Sequence, residues 1–141
     1  MTSKQIEADP NGLSSSDPGS KLDSGKLLAG LVMKGFCRAL TAVCEIGTFG
    51  ANKYSPNGWM TVPNGIERYE DAQERHKLKR WKGEIIDPDS GLLHAAHEAW
   101  NALAKLELML RERETSEADM QEAEAVAELQ ARIQKEHRSH E

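Results

Sequence analysis

Between Lys26 and Phe49, the apolar residues Leu28, Leu31, Val32, Phe36, Leu40, Val43 and Ile46 recur every three or four positions. That period predicts one long amphipathic helix. Its polar positions, Lys34, Arg38, Thr41 and Glu45, are sparse, so the helix is expected to be heavily buried, in part by another subunit. Ile66 to Trp81 predicts a second helix, acidic early and basic late, an order that suits the helix macrodipole. A third helix is expected from about Gly91 to Arg113. From Thr115 onward the chain is rich in Ala and Glu, and only Val126, Leu129 and Ile133 form a narrow apolar stripe. A peripheral, fraying helix is expected there.

The segments between these runs carry turn chemistry. Pro56-Asn57, Asn57-Gly58 and Asn64-Gly65 mark residues 51–65 as a loop, and Gly83 to Ser90 turns the chain again. Asp87-Pro88 is a natural helix start, with Asp87 or Ser90 as N-cap, and this capping role competes with any ligand role for Asp87. The expected architecture is an all-α bundle. A Ser-, Pro-, Gly- and Asp-rich tail (1–20) precedes a helical domain (21–113), and a charged C-terminal segment (114–141) follows.

The third helix breaks the apolar pattern. His94, His97, Glu98 and Asn101 fall at i, i+3, i+4 and i+7 and share one face. The positions around them are Leu, Ala and Trp, so this polar stripe is either buried and satisfied or part of a site. The second helix carries a matching stripe of Glu67, Glu70, Asp71 and Glu74. A short turn between the two helices predicts an antiparallel pair. With the hairpin centred near Ile86, His97 falls opposite Arg75, Glu98 opposite Glu74 and Asn101 opposite Asp71, while His94 falls near Leu78.

Carboxylates, histidines and an asparagine beside an arginine suit metal-assisted phosphate chemistry. Asp71 and Glu74 are the candidate catalytic carboxylates. The candidate metal ligands are Glu67, Glu70, Asp71, Glu84, Asp87, His94 and His97. Arg75 and Lys53 are placed to hold phosphates, with His76 and Asn101 nearby, and Asn57 and Trp59 on the loop are placed to approach a base. A competing reading has Trp59 and Tyr54 merely pinning that loop to the core. Glu67 and Glu70 lie roughly 20 Å along the axis from Glu84 and Asp87 if the second helix is continuous, which argues against a single four-carboxylate cage. Two histidines at i, i+3 also suit zinc, but spacing pins no third strong ligand.

Composition narrows the field. The chain has 141 residues, 38% of them hydrophobic, with 18 basic and 23 acidic side chains for a formal charge of −5. That balance gives no nucleic-acid footprint. Cys37 and Cys44 lie seven apart, about 10 Å along a helix, too far to bridge. No signal-peptide core or membrane-spanning run is visible, so a cytoplasmic protein without membrane partners is expected.

The ordered set G-T-F-G-A-N-K-Y-S-P-N-G-W, E-R-Y-E-D-A-Q-E-R-H and G-E-I-I-D-P-D-S-G-L-L-H-A-A-H-E-A-W-N-A-L resembles the phage dATP/dGTP diphosphohydrolase family, which looks related to MazG-like all-α nucleoside triphosphate pyrophosphohydrolases. The resemblance covers about residues 21 to 110. It implies a helical fold completed by homo-oligomerisation, as a dimer or tetramer, in the host cytoplasm. It also implies hydrolysis of dGTP and dATP to the monophosphate and pyrophosphate with Mg²⁺ or Mn²⁺, two or more ions per site. MazG-like enzymes carry metals on E-x-x-E and E-x-x-D, matched formally by Glu67, Glu70, Glu84 and Asp87. The diphosphohydrolase pattern instead stresses Arg75, His76, Glu84, Asp87, His94, His97 and Asn101. The alternative is a non-catalytic helical interaction protein whose polar stripe is a buried network.

Overall fold

The computed structural model describes residues 7–138, with side chains to residue 132. The chain divides into two compact units, one ending at Cys37 and the other beginning at Arg38. Among the described residues the structure is all-α, with four α-helices, one 3-10 turn and no strand beyond an isolated bridge.

In the first unit, turns are organised by the buried Asp9. Its carboxylate accepts the backbone N–H groups of Asn11 and Lys21, each at 2.7 Å, and these bonds, Lys21 first, hold its pKa below the ordinary value. Helix α1 (Ala29–Gly35) follows. The single helix expected over 26–49 is therefore interrupted. Phe36 leaves helical geometry (φ −110°, ψ 17°) while its N–H returns to the Val32 carbonyl, and Gly35 just before it weakens helical continuity. The expected burial is not met in the first part of this stretch, where Leu31, Val32, Met33 and Phe36 are exposed.

The second unit contains helix α2 (Cys37–Lys53), the 3-10 turn Gly58–Thr61, helix α3 (Gly65–Trp81) and helix α4 (His94–Arg138). Val43 and Ile46 of α2 are buried. Gly47 makes the approach to α4 possible, because a Cβ there would stand 2.5 Å from the Trp100 ring. Asn64 enters α3 in the left-handed region at φ 54°. A Cβ on the next residue, Gly65, would meet Leu108 at 2.7 Å, so α3 can start this close to α4 only without a side chain.

Helices α3 and α4 form the expected antiparallel hairpin, tied by Lys105–Glu70 at 3.1 Å and by a two-point Arg80–Glu98 pair at 2.7 and 3.1 Å. The third helix starts later than expected, at His94 rather than about Gly91. The turn forms a small ladder of its own: Asp87 N–H to Leu92 C=O at 2.8 Å, His94 N–H to Ile85 C=O at 3.0 Å, and Gly91 at φ +71°. The helix expected to end at about Arg113 does not end there, and α4 runs on through the Ala/Glu-rich segment. No Gly or Pro interrupts it, and the Thr115 and Ser116 hydroxyls fold back onto the carbonyls of Arg111 and Glu112 instead of capping a new helix. Ile133 and the tail histidines have side chains outside the described residues.

Candidate active site

The buried half of the α4 polar stripe meets the turn and α3. His94 is fully enclosed at 0% exposure, with Asp87 at 6% and His97 at 7%. Histidine rarely disappears so completely unless its ring nitrogens are bonded. His94 Nε2 is 2.9 Å from Glu84 Oε1, and its Nδ1 is 2.8 Å from His76 Nδ1. His76 in turn lies flat on His97, with ring centroids 4.3 Å apart and planes within 7°. The His97 Nε2 meets Ser90 Oγ at 2.8 Å, and that hydroxyl donates to Asp87 Oδ2 at 2.9 Å. His97 therefore donates from Nε2, and the chain His97–Ser90–Asp87 fixes both ring and carboxylate.

Electrostatics follow from this enclosure. Burial, then the neighbouring His97 and His94, push His76 down to about 4. Burial also lowers His97. For Asp87 burial works upward, but the Ser90 hydroxyl and N–H, aided by His97, leave the carboxyl below its ordinary range. Glu84 is lowered chiefly by its bond to His94. The outcome is that His76 and His97 are neutral, and Asp87 and Glu84 charged, at neutral pH. His76, Asp87 and His94 each offer one donor atom within 4.8 Å of the others, a geometry compatible with a metal ion.

A cavity of about 1100 Å³ lies in the same unit. Its walls are the C-terminal half of α2, the loop through Trp59, one face of α3 and Trp100 of α4. Trp59 and Trp100 meet edge to face with centroids 6.0 Å apart. The Tyr69 hydroxyl donates to the Trp59 carbonyl at 3.1 Å, so the loop is pinned and its indole still lines the cavity. Asn57 lines it too, held in the left-handed region at φ 60°. From α3 come Arg68, Asp71 and Arg75. These fall at i, i+3 and i+7, on one face. Among the described residues, neither guanidinium is in an ion pair. Arg75 precedes His76 in α3, and Trp100 follows His97 by about one turn of α4, so the cavity and the histidine cluster are built on neighbouring positions of the same two helices.

The expected site residues thus separate into groups. His76, Glu84, Asp87, His94 and His97 come together, and Asn57, Trp59, Asp71 and Arg75 come together around the cavity. Glu67 and Glu70 line a different groove with Met60, Leu108 and Arg111, and Glu70 is paired with Lys105. The four-carboxylate cage is not assembled, because Glu84 and Asp87 lie beyond the far end of α3. Glu74 is bonded to Lys77 at 2.6 Å. Lys53 is bonded to Asp89 at 2.5 Å, a contact that raises its pKa. Asn101 donates its amide to the His97 carbonyl at 2.8 Å. The hairpin register also differs in detail: Glu98 meets Arg80 rather than Glu74, and His97 meets His76 rather than Arg75. Arg68, Tyr69 and Trp100 enter the cavity without having been expected there, although the spacing of Arg68 from Asp71 and Arg75 is visible in the sequence.

An all-α hairpin that carries a metal-compatible histidine cluster and walls an aromatic, arginine-lined cavity defines the class of protein. Comparison with known proteins narrows it. A family profile described as "dATP/dGTP diphosphohydrolase, N-terminal" matches residues 16–118, and the chain belongs to that family. A protein of Salmonella phage PMBT28 named "dATP/dGTP diphosphohydrolase" is 35% identical over 99 residues, 70% of this chain and 32% of the relative. The chain thus spans about a third of that relative's length. No solved structure gives a significant match.

Proposed function

We propose that this chain hydrolyses purine deoxynucleoside triphosphates, dGTP and dATP, to the monophosphate and pyrophosphate in a reaction that depends on a divalent cation. The observation that carries the reading is the pair of unpaired guanidiniums, Arg68 and Arg75, in a cavity also walled by two indoles. Planar forks match phosphate oxygens, and indole faces match a purine. The family and the phage relative's name support the same substrate class.

In this reading Trp59, Trp100 and Asn57 hold the base, while Arg75 and Arg68 grip the polyphosphate. Asp71 is the carboxylate among the residues lining the cavity. It takes the proton of a water that attacks the α-phosphorus, the α–β bridging P–O bond breaks, and pyrophosphate leaves. His76, Asp87 and His94 present mixed nitrogen and oxygen donors, which suit Mn²⁺ among the expected ions. A dication held there supplies charge neutralisation and water activation. Glu67, Glu70 and Glu74 are surface carboxylates of α3 in this reading.

The apolar positions Leu103, Leu106, Met109 and Leu110 of α4 are about half exposed. We assign a second copy of the chain to this stripe, making the protein a homo-oligomer. No helix among the described residues is long and apolar enough to cross a membrane.

Incubating the full chain with each dNTP and a divalent cation tests the function. Release of pyrophosphate and monophosphate from dGTP or dATP is expected. The non-catalytic alternative draws on the closed bonding of the His97–Ser90–Asp87 chain and expects no product from any of them.

A further inference from the structure

We infer that the His76–Asp87–His94 trio is a site for one borderline transition dication, of the class of Mn²⁺, Co²⁺ and Zn²⁺, and that it discriminates against Mg²⁺. The inference concerns the site of the proposed function and rests on that reading only for its role. It departs from the expectation of Mg²⁺, which demands near-octahedral oxygen and gives up water reluctantly. Here two of three donors are imidazoles.

The hydrogen bonds state which nitrogens are presented. His94 Nε2 faces the Glu84 carboxylate at 2.9 Å; a carboxylate only accepts, so Nε2 carries a proton, and the lone pair His94 offers to an ion is at Nδ1. That lone pair points at His76 Nδ1, 2.8 Å away, which must therefore be the donor. When an ion enters between the two Nδ1 atoms, His76 loses the proton at Nδ1 and takes one up at Nε2. The tautomer changes and the charge of the pair does not. Glu84 is the positioning residue: a carboxylate behind a ligating imidazole fixes its tautomer and raises its basicity. Asp87, held by Ser90 N–H at 3.0 Å and Oγ at 2.9 Å, supplies the oxygen.

A second observation also points to a cation. The Lys79 ammonium stands 3.8 Å from Asp87 Oδ1 and 3.6 Å from Glu84 Oε1. Both distances are long for ion-pair hydrogen bonds, and the side chain is about half exposed. Lys79 is thus a loosely held cation beside the ligand carboxylate, and a dication entering the trio would compete with it. Replacing Lys79 by Met should therefore tighten metal binding.

The test uses the full chain in a background with His137 and His140 both replaced by Ala, so that tail histidines do not contribute. Chelator-treated protein is titrated by calorimetry with MnCl₂, CoCl₂, ZnCl₂ and MgCl₂, with stoichiometry from elemental analysis. One Mn²⁺, Co²⁺ or Zn²⁺ per chain is expected, bound roughly 100-fold more tightly than Mg²⁺. Glu84→Gln should weaken binding roughly 10- to 100-fold, and Lys79→Met should strengthen it. His76→Ala, at a partly exposed position, should abolish it with the helical circular dichroism intact; Asp87→Asn serves the same purpose if that variant does not fold. Equal affinity for Mg²⁺, or undiminished binding in the folded His76 or Asp87 variant, would overturn the inference. A one-to-one complex without nucleotide hydrolysis would refute the proposed function and leave this inference standing.

Discussion

His76 lies flat against His97, with ring centroids 4.3 Å apart and planes 7° apart, so helices α3 and α4 meet through two stacked imidazoles where a bundle normally places aliphatic side chains. This contact holds the cluster together only while the rings are neutral. A proton on either would place positive charge against its neighbours in a half-buried setting.

Acid should therefore weaken the fold. The folded chain holds His76 at about 4, against 6.5 for the free side chain, and His97 is shifted the same way. Well above pH 6.5 neither folded nor unfolded chain protonates these rings, and nothing is lost. As pH falls from there toward 4, the unfolded chain takes up protons that the folded one refuses, so stability declines. The lowered Asp87, Glu84 and Glu98 carboxylates act in the same direction at lower pH. Thermal melts of chelator-treated protein between about pH 7 and 5 should show a falling Tm, and His76→Gln should flatten that dependence. An unchanged slope in the variant would contradict the burial account.

Gly47→Ala should act on both fold and cavity. The new methyl would stand 2.5 Å from the Trp100 ring, and overpacking of this kind costs about 1–3 kcal/mol. Because Trp100 walls the cavity, nucleotide KM should rise in parallel with the loss in Tm. Gly30→Ala in α1, where a Cβ meets nothing within 4 Å and which does not line the cavity, is the control and should leave KM unchanged.

Arg68 and Arg75 separate phosphate binding from packing, since both are exposed. Replacing either by Ala should leave Tm nearly unchanged. A charge-assisted hydrogen bond is worth about 1.5–3 kcal/mol, which corresponds to roughly a 10- to 100-fold loss in kcat/KM. Arg75→Lys should recover part of this only, because an ammonium lacks the planar fork. Steady-state kinetics on dGTP reads all three variants.

Much of this geometry was legible from helix period and one short turn. The α3–α4 pairing needed only that Gly83–Ser90 be brief, and it brought the histidine stripe level with the middle of α3. Side-chain choice within the register was not legible. The expected register sets Glu98 against the like-charged Glu74, and the structure pairs it with Arg80 instead. The turn itself was hidden, because Asp87-Pro88 reads as a helix start, whereas the backbone ladder from Ile85 to His94 delays the helix until His94. The break at Phe36 was equally silent, since an apolar period runs through it unbroken. Arg68 is masked for another reason: the carboxylates of α3 form a tidier stripe than the Arg68–Asp71–Arg75 face that lines the cavity.

The exposed stripe on α4 makes a further expectation. If a second copy covers Leu103, Leu106, Met109 and Leu110, sedimentation should give a dimer or tetramer. Leu106→Asp with Leu110→Asp should then shift it toward the monomer. A monomer in the unaltered protein at micromolar concentration would contradict the assignment.

The most direct measurement of the central claim is hydrolysis of dGTP in oxygen-18 water, with products resolved by phosphorus NMR and mass spectrometry. Attack at the α-phosphorus predicts dGMP carrying the heavy oxygen, together with unlabelled pyrophosphate, and a loss of at least roughly 100-fold in rate for Asp71→Asn if that carboxylate is the base. Label in pyrophosphate, release of inorganic phosphate, or no turnover with any purine deoxynucleotide would contradict it.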